Sequence, residues 1–166
     1  MAYRNKTYVG LDYDEDKRWY NAMRMWKAND NIEFDFHNAH ELNTIRSWST
    51  EDAKKQALRQ RMLNAKLFVL LVGGKTRFQQ TYVRWEIDQA LKMDLPIIAV
   101  NLNGTRRLDS VRCPLILRSE IALHIPFNQS VMTHAMDKWP GEYASRKQLP
   151  KDWYFYEEPF YSSRGL

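Results

Sequence analysis

The chain has 166 residues, 44% hydrophobic and 27% charged, with a formal net charge of +5; that suffices for one domain with a sizeable core. No apolar run approaches the roughly 20 residues that cross a bilayer. One cysteine, Cys113, excludes an internal disulfide framework. MAYRNKTYVG carries no signal-peptide core, so a cytoplasmic protein without a membrane partner is expected. The positive charge suits an anionic ligand, nucleic acid or a membrane surface and chooses none of them. It is scattered from Arg59 to Arg118 without a dense block, so a solvated surface is expected and nucleic acid is not an expected partner.

TYVGLD, Thr7 to Asp12, reads as a first short strand, and Trp19, Met23 and Trp26 recur at helical spacing within Glu15 to Ala28. IEFDFHN, Ile32 to Asn38, alternates apolar and polar residues and predicts a strand at a sheet edge. Ser49 or Thr50 then offers an N-cap before Glu51 and Asp52, opening a helix to about Asn64. LFVLLV, Leu67 to Val72, is uninterrupted and predicts a central parallel strand covered on both faces. A helix from the Thr81 to Leu91 region follows, then a buried strand in PIIAVNL, an irregular basic stretch from Asn103 to Ser119, a strand in IALHIPF and a helix from Gln129 to Trp139. Alternation of this kind predicts a doubly wound α/β fold: a mostly parallel five-stranded sheet in the flavodoxin-like order, helices on both faces.

Ligands of such sheets bind beyond the carboxyl ends of the strands. That places Asp12 to Asp16, the loop from His37 onward, and Gly73 with Gly74 around one crevice. Glu86 lies in the first turns of the helix after LFVLLV, flanked by Val83, Ile87 and Ala90. A carboxylate early in a helix complements the macrodipole; one placed among apolar residues at a crevice edge is also a candidate functional group. GGKT lacks the earlier glycine of a phosphate loop, Val69 standing in its place. DYDED resembles the metal-binding turn of receiver domains, but Gly73 and Gly74 occupy the place of the phosphoacceptor aspartate. His37, His40 and Glu41 read as a solvated loop, and no metal site is expected. Trp48 either stacks on a planar ligand or anchors its loop.

YVGLDYDED, FDFHNAHEL, RSWSTEDAKKQALRQRMLNAKLFVLLVGGKT, YVRWEIDQALKMDLPIIAVNL and HIPFN, in that order from about Thr7 to Trp139, together resemble the TIR-like proteins of flavodoxin-type fold. That group includes the sensor proteins of Thoeris anti-phage defence. The most specific part is V-x-x-E-I after a strand ending in valine and glycine, here Val83, Glu86 and Ile87. Members often carry tryptophan immediately before that valine; Tyr82 stands there in this chain, at the ligand edge.

The resemblance implies that Glu86 aligns with the catalytic glutamate of TIR-domain enzymes that cleave the nicotinamide–ribose bond of NAD+. Some of these hydrolyse the product; the Thoeris sensors form a cyclic ADP-ribose isomer that activates an effector. NAD+ is then a substrate and no bound cofactor is expected. The implied partners are an effector reached through a nucleotide messenger and a phage-derived trigger, with self-association left open. Placement adds Asp12 and Tyr82 at the crevice, Tyr13 and Trp48 as stacking surfaces, and Arg46 and Arg84 for the pyrophosphate. The alternative is a non-catalytic TIR-like module that acts by protein contact or by binding a nucleotide without turnover. The expected domain is residues 1–139. Residues 140–166 form an extension whose DWYFYEEPFY segment is expected to be ordered, either against its own domain or in a partner contact.

Overall fold

The computed structural model describes residues 7–32, 34–36 and 50–166. Strand β1 (Thr7–Gly10) leads into helix α1 (Tyr13–Ala28); α2 (Glu51–Leu63), β2 (Leu67–Val72), α3 (Val83–Lys92), β3 (Ile97–Asn101), β4 (Leu123–Pro126) and α4 (Gln129–Arg146) follow. The tail adds β5 (Tyr154–Phe155) and α5 (Glu158–Ser162). The five strands lie in the order β1-β2-β3-β4-β5, every neighbouring pair parallel. The fold is a doubly wound α/β sheet of the flavodoxin-like kind.

Strand alternation divides the core in two. Val9, Val69, Leu71, Ile98 and Val100 face Tyr20 and Met23 of α1 and Val131, Ala135 and Trp139 of α4. Tyr8, Phe68, Leu70, Val72 and Ala99 face Leu58 and Met62 of α2 and Val83, Ile87 and Ala90 of α3. Apolar residues on both sides of LFVLLV are what a strand under two helical layers needs. It is paired on both edges, with β3 in the middle of the five. Caps set two helix starts: Thr50 Oγ1 accepts from Ala53 N at 3.2 Å, and Asn128 Oδ1 from Val131 N at 3.2 Å.

Two expectations are corrected. Among the described residues of IEFDFHN no strand forms: Phe34 to Phe36 join no ladder, although Phe34 and Phe36 are buried and Asp35 is exposed. The fifth strand comes instead from the tail, Leu123 pairing with Tyr154 and His124 with Phe155. The last long helix does not stop at Trp139 but runs through Pro140 to Arg146. The helical bond lost at the proline is outweighed there by packing, since Trp139 is buried against Tyr143 and Tyr154 with ring centroids 6.3 and 5.6 Å away.

Because all strands run one way, Gly10, Val72, Asn101 and Pro126 end on the same edge of the sheet. The buried Asn101 amide secures the loop after β3, donating to Thr105 O at 2.9 Å and Arg107 O at 2.8 Å.

Candidate active site

Helix α3 buries Val83, Glu86, Ile87 and Ala90, residues spaced to share one face. Glu86 is therefore carried into the core side of the helix, 1% exposed, against β1. The backbone leaves room for it: a side-chain carbon at Gly10 would lie 3.2 Å from Glu86 Oε2. Phe68, stacked on Tyr8 at 5.7 Å, closes the same space. Oε2 has no hydrogen-bond partner among the described residues.

Burial pushes the Glu86 carboxyl up from 4.5 to about 8, while the Tyr8 hydroxyl pulls it partly back. Tyr8 in turn is held well above its ordinary value, by burial first and by Glu86 second. Burial thus favours the protonated form of Glu86 at neutral pH. A carboxylate that merely faced the helix dipole from solvent would not be held this way. A cation arriving beside Oε2 favours ionisation, and an ionised carboxylate there stabilises positive charge developing on a bound molecule.

The other sequence-chosen residues divide. Asp12, buried at the end of β1, accepts from Gln79 Nε2 at 3.0 Å, tying β1 to the segment before α3. Tyr82 is half-buried at the start of α3 and packs with the cluster on Glu86's face of the sheet. Tyr13 packs on the opposite face, edge-on to Tyr20 at 6.3 Å, with Lys17 Nζ 5.4 Å over its ring. Arg84 is exposed and lines a separate groove with Phe78 and Leu115. The structure thus brings Tyr82 to Glu86's side of the sheet and leaves Tyr13 and Arg84 away from it. Arg46 and Trp48 lie outside the described residues, as do His37, His40 and Glu41. Among the described residues no group of three or more side chains is arranged to hold a metal ion.

Two further residues stand out: Gly10, which the sequence did not single out, and Asp16, which it placed at the crevice without a role. Gly10 makes the space for Glu86, and a small residue inside a strand is the only signal it gave. Asp16, 6% exposed, lies over Gly73 at the end of β2, where a side-chain carbon would come 2.3 Å from Oδ2. Burial, then the charges of Asp12 and Glu15, push Asp16 from 3.8 to about 6, with Thr76 opposing. Gly73 N donates to Thr76 Oγ1 at 2.8 Å, so the GGKT turn closes on itself.

The profile of a family described as Thoeris protein ThsB, TIR-like domain, matches residues 2–107. The chain belongs to this family. Within the matched region lie β1, α1, β2, α3 and β3, and with them Gly10, Asp12, Asp16, Tyr82 and Glu86. β4, α4 and the tail lie beyond it. No curated protein matches the chain. Membership in the ThsB TIR-like family supports a TIR-like role in anti-phage defence. No helix among the described residues is long and apolar enough to cross a membrane.

Proposed function

We propose that this ThsB-family protein cleaves NAD+ at the bond between nicotinamide and ribose, in the cytoplasm, and that the ADP-ribose product, cyclic or open, activates a partner effector during phage infection. The observation that carries this reading is the buried Glu86 carboxyl beside Gly10, with Oε2 unpartnered among the described residues. Breaking the C1′–N bond sends its electron pair into the nicotinamide ring, neutralising the pyridinium and leaving positive charge on the ribose. An ionised carboxylate fixed on that face lowers the barrier. The pyridinium itself favours loss of the Glu86 proton on binding, so substrate would convert the resting acid into the working anion. Tyr82 packs on the same face of the sheet as Glu86. Trp48 is a proposed stacking surface and Arg46 a proposed pyrophosphate contact, whereas Tyr13 and Arg84, which pack away from Glu86, are given no part in holding the substrate.

The rival, a non-catalytic TIR-like module, draws on the same burial: a neutral carboxyl 1% exposed in the resting chain is also what a silent site would hold. One experiment separates the two. The protein is incubated with NAD+, with and without lysate from phage-infected cells, and nicotinamide release is followed for wild type and Glu86→Gln. Removal of one preorganised charge costs roughly 10²–10³ in rate. Full turnover by a folded Glu86→Gln protein would remove the catalytic assignment, and a wild type silent under every trigger would favour the binding module.

A further inference from the structure

A small groove opens between the turn Thr76–Phe78, the start of α3 and the turn Leu115–Leu117. Its volume is about 180 Å³, and Arg77, Phe78, Arg84, Pro114, Leu115 and Ile116 line it. Phe78 is 63% exposed and Leu115 70%; Val111, 67% exposed, is tied to the same place by its carbonyl, which accepts from Arg77 Nη1 at 2.5 Å. The described residues expose seven large apolar side chains, and two of them, Phe78 and Leu115, line this groove. Scattered exposed apolar residues need no explanation, but a cluster rimmed by polar groups marks an interaction surface.

The rim has one sign of charge. The Arg77 guanidinium lies 4.7 Å over the Phe78 ring, and a guanidinium has five donors, of which the Val111 carbonyl takes one. No described side chain pairs with the exposed Arg84. No carboxylate lines the groove. Small-molecule pockets typically measure about 300–1,000 Å³, so this volume suits a single apolar side chain better than a whole ligand.

We propose that this groove docks a short acidic segment of another protein. An apolar side chain of that segment enters between Phe78 and Leu115, and its flanking carboxylates meet Arg84 and Arg77. Arg84 and Glu86 stand two residues apart on α3 and so point to different sides of the helix. The docked segment therefore leaves the Glu86 face clear.

The test uses the full chain and a panel of short fluorescent peptides, glutamate-rich, with leucine or phenylalanine at varied spacing. Comparison peptides carry lysine for glutamate, or serine for the apolar residues. Saturable binding by glutamate-rich apolar members alone is expected, weakening with added salt. Arg84→Glu and Leu115→Ser, both at exposed positions, should each weaken it about tenfold or more with melting temperature unchanged. Equal binding of the comparison peptides, indifference to both substitutions, or no saturation by any peptide up to about 1 mM overturns the proposal. So does sedimentation showing a wild-type dimer that Leu115→Ser dissolves, since the occupant would then be a second copy of this chain.

Discussion

Glu86 Oε2 fills space that a side chain at Gly10 would require: a carbon added there would stand 3.2 Å from that oxygen and 2.8 Å from Phe68 Cζ. Phe68 is fully buried in β2, so it has little room to give way. Gly10→Ala is therefore expected to destabilise the fold by about 1–3 kcal/mol, the usual cost of overpacking. It should also lower any NAD+ cleavage by shifting the Glu86 carboxyl. A lower urea midpoint at unchanged slope is the expected signature; an unchanged midpoint would mean that the site is looser than these distances imply.

Glu86 makes stability depend on pH in a defined direction. Its folded value is about 8 against an ordinary 4.5. Between the two, the folded chain holds a proton that the unfolded chain has released. The stability linked to this proton is fully present below about 4.5 and is lost as pH rises through about 8. Glu86→Gln removes the dependence. The melting temperature of the variant minus that of the wild type should be small near about pH 5 and clearly positive near about pH 9. On the proposed NAD+ cleavage, turnover at low substrate should rise across the same upper limb, because a carboxylate that stabilises the ribosyl cation must first lose that proton. A melting difference that stays flat with pH would rule out the buried, protonated state.

The tail is predicted to be part of the core. Tyr161 is fully buried in the cluster that also holds Val9 and Trp139, and Arg106 lies 4.3 Å over its ring while pairing with Glu158 at 2.9 Å. Tyr161→Ala should cost roughly 3–5 kcal/mol, as aromatic truncations in cores do. Chemical denaturation monitored at the far edge of the sheet, not only in the tail, should report the loss. Stability within about 0.5 kcal/mol of wild type would make the tail an independent arm.

Much of the sheet could be read from local pattern, because burial under two layers leaves an unbroken apolar run in Leu67–Val72 and in the first four residues of β3, Ile97 to Val100. The Thr50 cap and the burial of Glu86 were legible for similar reasons, one from a capping residue and the other from Val83, Ile87 and Ala90 around it. IEFDFHN misled because alternation reports which side chains are buried, and Phe34 and Phe36 are; it does not report whether the backbone joins a ladder. β5 is two residues long, too short for a period, and is held by distant contacts, with Arg107 over Phe155 at 4.2 Å and Arg146 over Tyr154 at 4.8 Å. The fits of Glu86 on Gly10 and of Asp16 on Gly73 join residues far apart in sequence, and no local pattern encodes such steric matches.

The Asp16–Gly73 pair supplies a test of that last point. A carbon added at Gly73 would lie 2.3 Å from Asp16 Oδ2 and 2.5 Å from Oδ1, closer than atoms can approach. Gly73 is not among the glycines with positive φ, so alanine is conformationally allowed there and its cost must be steric. Gly73→Ala should destabilise by about 1–3 kcal/mol. Asp16→Ala removes the obstructing carboxyl, so adding Gly73→Ala to it should cost far less, a coupling of roughly 0.5–3 kcal/mol in a double-mutant cycle. Asp16→Ala carries a second signature. With Asp16 raised from 3.8 to about 6 in the fold, the wild type loses the associated stability as pH rises through about 6, and the variant lacks that component. Additive costs in the cycle would show that the carboxyl does not occupy the space over Gly73. A coupled cycle with no change in the pH dependence would keep the steric fit and discard the raised titration.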